Sequence, residues 1–477
     1  MKKLFTIATA LLIATSAFAQ EEKKGPEFTY GARAWAFGAM IAQKNFQEDY
    51  SAVRIRPLLS VGMDDTKIVT QLELSQVFGR KGSDISKDKD AGYAGPATDN
   101  TAVRIKEAYL ESKNVIIPGL SLTAGLKGYK FPWAIDNDFA LFTVGYDFGM
   151  GQANLSYIKI NEGTDIIEQK VNASGVKTKQ NEDAQVYLLD VPVKVDKDIT
   201  IRPAVMYIQG GKDYIASYET TPANWREYTD LYKTSLYNVA LNATAKIDII
   251  SVNVTGAYLT GTLNEKAKDP TDPSLGFNKI DTSAYLFDLG VDVKATDMIK
   301  VGAFFTYSSG NDGKKPDKEN NNYFKNMENI FGRPEKADGV NAGRLFVLEA
   351  ASLTRNGGNY EYFFAMDLAE GYMSYGINAE AKIDKLTLFA QFGMASTTED
   401  RIITDLKTGN SKKVTSIGSE IDVRVSYALA SRTSLFLECG YVLAGDIQFN
   451  TLNYATTGEQ VKPENMYQIA WGITSQI

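Results

Sequence analysis

The chain contains no histidine and only one cysteine, Cys439, among its 477 residues. The lack of histidine excludes His-based catalytic triads, His-ligated metal sites and acid–base catalysis by an imidazole. A single cysteine cannot form a disulfide bond within the chain. Because these residue types carry much of enzymatic chemistry, we expect no catalytic residues, no metal site and no cofactor.

Long apolar runs are also missing from most of the chain. After residue 19 no stretch of 18 or more apolar residues occurs, which is the length that a transmembrane helix requires. The mean hydropathy of −0.23 is too polar for a helical membrane protein. A hydrophobic share of 44% is nevertheless too high for a disordered chain. The sequence therefore predicts a folded protein without membrane-spanning helices.

The first 19 residues have the pattern of a secretory signal peptide. Lys2 and Lys3 precede an apolar stretch that ends in the small-x-small sequence Ala17-Phe18-Ala19. We expect cleavage near Ala19, which leaves residues 20–477 as a single domain. Loss of the two lysines takes the formal net charge from −7 to −9. An acidic exported protein is poorly suited to bind nucleic acid, and no such partner is expected.

Period-two alternation of apolar and polar residues is the main structural signal. Between residues 287 and 307, one row of alternate positions is apolar, and a short polar turn divides the segment into two strands. The first apolar row is Phe287, Leu289, Val291 and Val293. The opposite parity there carries Asp288, Gly290, Asp292 and Lys294. Such strands have one apolar face and one polar face.

Short and long connections between predicted strands take turns along nearly the whole chain. The short ones are turns such as residues 63–66, 246–248 and 382–385. The long, polar ones are predicted at 80–100, 161–182, 211–230, 262–280, 311–369, 396–415 and 446–463. This alternation is typical of an all-β, transmembrane, up-and-down antiparallel β-barrel with short periplasmic turns and long extracellular loops. We predict about 18 strands, with loop 311–369 as a candidate constriction or plug.

Tyrosines on the apolar parity cluster near the strand ends that join the long loops. They are Tyr157, Tyr187, Tyr207, Tyr237, Tyr258, Tyr285, Tyr307, Tyr375, Tyr441 and Tyr467. Amphipathic rings at one height around a barrel form an aromatic girdle at the membrane interface. The alternative is that these tyrosines reflect only the general preference of the residue for strands.

Charged residues on the polar parity predict the lining of a lumen. The predicted pore-lining residues are Arg54, Arg56, Lys67, Arg104, Lys127, Arg202, Asp288, Asp292, Glu380, Asp422, Arg424 and Glu438. The basic residues fall mostly on early strands and the acidic ones on late strands, so a basic wall would face an acidic wall. The alternative is that each charge merely solvates the wall. A bulge near Lys106 would turn Glu107, Tyr109 and Glu111 inward.

The whole mature chain resembles a Gram-negative outer-membrane porin of the 18-stranded type that includes alginate-export and carboxylate-channel porins. The segments "VRIKEAYLES", "IPGLSLTAGLKGY" and a loop with "IDNDF" are similar to the early strand-pair pattern of such porins. The resemblance implies that basic residues on one wall line a constriction and that inward-folded loops narrow it. By position, Arg54, Arg56, Arg104 and Lys127 match such a basic ladder.

This resemblance implies passive diffusion of small hydrophilic or charged solutes through a water-filled lumen in the outer membrane of a Gram-negative-type bacterium. Membrane lipid and solutes are then the partners; the oligomeric state stays open, with a monomer favoured. Three alternatives remain: a barrel sheath around a secreted polymer or partner protein, a barrel-based hydrolase, and a non-conducting structural or adhesive barrel. The missing histidine counts against the hydrolase.

Overall fold

The protein is described from a computed structural model. The structure describes residues 25–43, 46–78, 93–94, 102–131, 135–161, 184–216, 231–265, 280–310, 344–349, 370–404, 411–447 and 465–476. Nearly all of these residues belong to β-strands. Within these ranges, no helix is both long enough and apolar enough to cross a membrane.

Twenty strands follow one another along the chain. They are β1 (Glu27–Gln43), β2 (Phe46–Met63), β3 (Thr66–Phe78), β4 (Tyr93–Ala94), β5 (Ala102–Ser112), β6 (Leu120–Phe131), β7 (Ile135–Asp147), β8 (Gln152–Asn161), β9 (Ala184–Asp190), β10 (Val193–Lys194), β11 (Ile199–Ala216), β12 (Leu231–Ile247), β13 (Ile250–Glu265), β14 (Ile280–Lys294), β15 (Ile299–Ser308), β16 (Tyr372–Ile383), β17 (Leu386–Thr404), β18 (Ser411–Ala430), β19 (Thr433–Ala444) and β20 (Met466–Gln476).

These strands form one closed antiparallel barrel. β1 pairs with β2 on one side and with β20 on the other, so the sheet has no free edge at the chain ends. The two-residue strand β4 lies parallel to β3 and outside this order. β9 and β10 both pair with β11 and together occupy one position in the wall. The wall therefore has 18 strands, which confirms the predicted fold class.

Tight connections gather at one end of the barrel. They cover residues 64–65, 113–119, 148–151, 195–198, 248–249, 295–298, 384–385 and 431–432. Three of the two-residue turns begin with an aspartate at positive φ, namely Asp64 (53°), Asp248 (53°) and Asp384 (52°). Aspartate tolerates this left-handed conformation better than most residues, which explains its recurrence there.

Two predicted loops are wrong. Most of residues 396–415 belongs to β17 and β18, which continue as a paired hairpin through Thr404 and from Ser411. The segment "IDNDF" lies in β7, where Asp138 is opposite Gly128 in the register with β6. Both segments are polar, yet each pairs with its neighbour: β7 does so in an unbroken register with β6, and β17 pairs with β18 on both sides of an irregularity between Ser396 and Arg401. Strand pairing satisfies backbone groups whatever the polarity of the side chains, so side-chain polarity alone does not distinguish a loop from a strand.

In β19 an exposed outward row of side chains alternates with a buried inward row. In β19, Leu435, Leu437 and Tyr441 are exposed, whereas Phe436 and Glu438 are buried. Cys439 lies on the exposed outward face. The exposed outward row is apolar, as a surface against lipid would be.

The inner face is less polar than the sequence predicted. Along the outer halves of β8 to β14 the inward positions form a buried apolar belt. Its large members are Ile158, Val186, Leu188, Met206, Ile208, Leu236, Leu259 and Leu286. Strands that are apolar on both faces show near-continuous hydrophobic runs, such as "AVMYI" in β11, and alternation is then hard to read from sequence.

We predict that the seam between β1 and β20 depends on Gly38. A β-carbon at this position would lie 2.6 Å from Cζ2 of Trp471, so Gly38→Val should force the indole away from the wall. The expected cost is about 1–2 kcal/mol in the free energy of unfolding, measured by urea titration of the refolded barrel. Ala34→Val, on the same outward face of β1, is the control. Equal stability of the two variants would contradict the prediction.

Candidate functional site: a charged lumen narrowed by an inner segment

The early strands place two arginines against one carboxylate on the inner face. The guanidinium of Arg56 donates to Glu73 Oε2 through Nε at 2.6 Å and through Nη2 at 2.5 Å. Arg54 Nε lies 3.8 Å from the same oxygen, and the ring of Trp35 lies 5.4 Å from Arg56 Cζ. One acid thus serves two arginines, which leaves this part of the wall with an excess of positive charge.

A second acid on this wall is shared by two lysines. Glu111 lies 3.5 Å from Lys67 Nζ through one carboxylate oxygen and 3.3 Å from Lys127 Nζ through the other. The ammonium group of Lys127 also stands 4.6 Å from the ring centre of Tyr109. Lys106 is the extra residue of a bulge in β5, where the register with β3 shifts. The bulge turns Tyr109 and Glu111 inward.

Two further arginines extend this basic wall. Arg104 is exposed and pairs in register with Glu73, so it lies on the inner face of β5. Arg33 is also exposed and pairs in register with Arg56. Sequence reasoning missed Arg33, although it shares its parity with Trp35 in the segment "GARAWAFG". We use the name basic wall for Arg33, Arg54, Arg56, Lys67, Arg104 and Lys127.

Arg202 does not belong to the basic wall. Its guanidinium makes a two-pronged ion pair with Asp190, at 2.8 Å and 2.7 Å, and donates to the hydroxyl of Tyr129 at 3.2 Å. The ring of Phe131 lies 4.9 Å from Cζ. Asp190 is buried, so this cluster ties β6, β9 and β11 together beside the apolar belt. It places a neutralised pair on the inner wall.

A short segment of the connection between β15 and β16 lies inside the barrel. Residues 344–349, with the sequence RLFVLE, form a single turn, which we call the inner segment. Leu345, Phe346, Val347 and Leu348 are at most 5% exposed and pack with inward residues of β15 to β20. Part of the predicted constriction loop thus enters the lumen. The remainder of 311–369 lies outside the described residues.

Carboxylates of the wall accept hydrogen bonds from the backbone of the inner segment. The N–H groups of Val347 and Leu348 donate to the two oxygens of Glu420, at 2.6 Å and 2.7 Å. The N–H of Phe346 donates to Asp422 Oδ2 at 3.1 Å. Both acids are fully buried. Consecutive N–H groups at the start of a turn present partial positive charge, and these carboxylates meet it directly.

The inner segment supplies a third carboxylate from its own end. Glu349 accepts from the N–H of Leu345 at 3.1 Å and from the N–H of Arg344. Its other oxygen accepts from the hydroxyls of Tyr372 at 2.7 Å and Ser374 at 2.6 Å. The five N–H groups of residues 344–348 therefore all reach a carboxylate. Sequence reasoning missed Glu349; the signal for it was an apolar run with Arg and Glu at its two ends.

Arg344 fixes the other end of the inner segment to β14. Its two terminal nitrogens donate to the two oxygens of Asp288, at 2.5 Å and 3.0 Å, and one also donates to Thr306 at 3.1 Å. Gln391 donates to both the carbonyl oxygen of Arg344 at 2.5 Å and Asp422 at 2.6 Å. The inner segment is thereby bound to β14, β15, β17 and β18.

Glycines in the wall make room for the side chains of the inner segment. A β-carbon at Gly393 would lie 2.6 Å from Leu345 Cδ2, and one at Gly440 would lie 2.7 Å from Val347 Cγ2. Any larger residue at these positions would collide with the segment. The inward face of the barrel wall therefore matches the inner segment both in shape and in charge.

On the side of the inner segment that faces the tight turns, the lumen contains a cavity of about 570 Å³. Arg424 projects toward it, paired with the buried Glu438 and stacked 4.6 Å from the ring of Phe346. The cavity is also lined by the polar residues Asn253, Asp292, Lys300, Asn378 and Gln391. Its walls thus offer both charged groups and neutral hydrogen-bonding groups.

The predicted acidic residues have two different environments. Asp288, Asp422 and Glu438 are at most 1% exposed. Asp288 forms an ion pair with Arg344, Asp422 accepts a hydrogen bond from the inner segment, and Glu438 forms an ion pair with Arg424. Asp292 is 42% exposed at 3.8 Å from Lys300, and Glu380 pairs in register with Lys300. The three buried members of the predicted acidic wall therefore bind protein groups and do not face water.

The predicted girdle tyrosines occupy neighbouring positions on the outward face. Tyr157 is opposite Tyr187, Tyr187 opposite Tyr207, and Tyr207 opposite Tyr237. Tyr258 is opposite Tyr285, and Tyr441 opposite Tyr467. Tyr307 stacks on Tyr285 at 5.7 Å, and Tyr375 is exposed on the adjoining strand β16. Their position at a lipid interface stays a prediction.

Comparisons with known proteins support the fold. No protein-family model matches the chain, and no curated protein matches it in sequence. Pseudomonas aeruginosa OccK11 (OpdR) has a TM-score of 0.50 at 10% identity, over 94% of this chain and 96% of that chain. Acinetobacter baumannii OccAB1 has a TM-score of 0.49 at 11% identity, over 94% and 97%. At 10% identity, the similarity to OccK11 shows a shared barrel fold.

We predict that Asp288 contributes to stability far more than Asp292. Asp288→Asn removes half of a buried ion pair and should cost about 2–4 kcal/mol in the free energy of unfolding. Asp292→Asn, on the same strand and the same face, removes only an exposed pair and should cost less than about 1 kcal/mol. Urea titration of both refolded variants measures the difference. Similar losses would show that Arg344 does not depend on Asp288.

Proposed function

We propose that this protein is an outer-membrane pore through which small hydrophilic or charged solutes diffuse passively. The observation that carries the proposal is the contrast between the two faces of the closed barrel. Its outward face is a continuous apolar surface, whereas its inner face holds ionised side chains around an open cavity. Ionised groups are costly against lipid and are well solvated in a water-filled lumen.

The charge pattern of the lumen favours anions. Lys67 and Lys127 are 44% and 31% exposed at their side chains, whereas the Glu111 between them is 17% exposed. Arg33 and Arg104 are exposed as well. The acids across the lumen are largely covered by the inner segment, so a diffusing solute meets more positive than negative charge. A lumen lined in this way concentrates anions.

The same proposal assigns the chain to the outer membrane of a Gram-negative-type bacterium, with export directed by residues 1–19. Its partners are membrane lipid, in contact with the tyrosine girdle, and the solutes that pass. We propose a pore without a catalytic step; the buried acids of the described lumen are engaged in ion pairs and in hydrogen bonds to the inner segment. Within the described residues, no cluster of three or more acidic or cysteine side chains is arranged to hold a metal ion.

Single-channel recording in a planar bilayer tests the proposal. The refolded protein should show steady open conductance, and a salt gradient should give a reversal potential of the sign that marks anion preference. A correctly folded barrel that stays silent would contradict the pore and would favour a sheath around a partner or an adhesive barrel. A reversal potential of the opposite sign would contradict the role of the basic wall.

We predict that Arg104→Glu reduces anion preference. The exposed side chain belongs to the basic wall, and reversing its charge should lower the anion-to-cation permeability ratio by on the order of two- to fivefold. Lys385→Glu, in an exposed turn at the end of the barrel, makes the same change in charge away from the lumen and should have little effect. Reversal potentials at low ionic strength measure both variants. An equal shift in the two would show that only net charge matters.

A further inference from the structure

We propose that Glu420 is a positioning residue that fixes the width of the lumen by holding the backbone of the inner segment against the wall. This inference rests on the proposed function, because lumen width matters only in a pore. Glu420 does not need to touch a solute to act in this way. Its effect passes through the two N–H groups that it binds.

The inner segment cannot hold its own shape without such a partner. It contains one backbone hydrogen bond of helical type, from the N–H of Glu349 to the carbonyl of Leu345 at 3.3 Å. A lone turn leaves its first N–H groups unpaired, and an unpaired buried N–H is costly. Glu420 satisfies two of these groups with two separate oxygens, which only a carboxylate can do.

Asp422 contacts the inner segment in a different way, and the difference gives a matched comparison. Its Oδ2 accepts from both Phe346 N–H and Gln391, while Oδ1 is buried without a hydrogen-bond partner. An asparagine could keep its single oxygen at the Oδ2 position and retain both contacts. A glutamine at 420 has only one oxygen, so its amide nitrogen would face a backbone N–H.

The position of the inner segment determines the shape of the cavity. Arg344 and Phe346 line the cavity together with wall residues such as Asn253 and Asn378. The glycine gaps at 393 and 440 accept Leu345 and Val347 only when the segment lies where Glu420 holds it. Displacement of the turn from this site would move Phe346 and widen the cavity.

The test compares Glu420→Gln with Asp422→Asn. Each replaces a buried carboxyl group by an amide on the same face of β18, so a role that depends only on the loss of a carboxyl group predicts equal effects. We expect Glu420→Gln to raise the size of the largest poly(ethylene glycol) that enters the pore and to increase single-channel conductance. Asp422→Asn should leave the size limit close to that of the unmodified protein.

Gly393→Val provides an independent variant if Glu420→Gln fails to fold. It leaves all charges in place but fills the gap that receives Leu345, and it should raise the size limit in the same direction. An unchanged size limit in both folded variants, or equal shifts in Glu420→Gln and Asp422→Asn, would overturn the inference. These results are distinct from failure of the proposed function, in which the unmodified protein itself would not conduct.

Discussion

Closure of the sheet is the constraint on which the rest of the structure depends. A strand inside a lipid bilayer must satisfy every backbone N–H and C=O from neighbouring strands, because no water is present to do so. Pairing of β1 with β20 completes the ring and removes both free edges. Once the ring is closed, the alternation of side chains assigns every second residue to the lumen. The chemistry of the lumen therefore follows from strand register.

The ring is too wide for the side chains of its strands to fill, and the inner segment fills part of the remaining space. A turn that enters the lumen carries backbone groups that need partners, and the late strands supply Glu420 and Asp422 for them. The acids that the sequence predicted to form half of a transverse field thus act mainly as hydrogen-bond acceptors for the inner segment and as partners in buried ion pairs. The basic wall keeps the larger share of exposed charge, which shifts the expected preference toward anions.

Much of the barrel could be predicted from the sequence, because period-two alternation is a local signal. Strand number, the alternation of short and long connections, and the shared face of the tyrosines all follow from it. The roles of Asp288 and Asp422 could not be predicted, since both depend on Arg344–Glu349, a segment distant in sequence. The hairpin of β17 and β18 was missed because polar residues can pair as strands, as Ser411, Lys412 and Lys413 do with the end of β17.

Accessibility of single cysteines tests most directly whether the two faces meet lipid and water. The native Cys439 lies on the outward face, and Arg104→Cys in a Cys439→Ala background places a thiol on the inner face. In proteoliposomes, a membrane-impermeant thiol reagent should label the cysteine at position 104 and spare Cys439. Labelling of Cys439 with protection of position 104 would contradict the assignment of the faces and, with it, the account of the lumen.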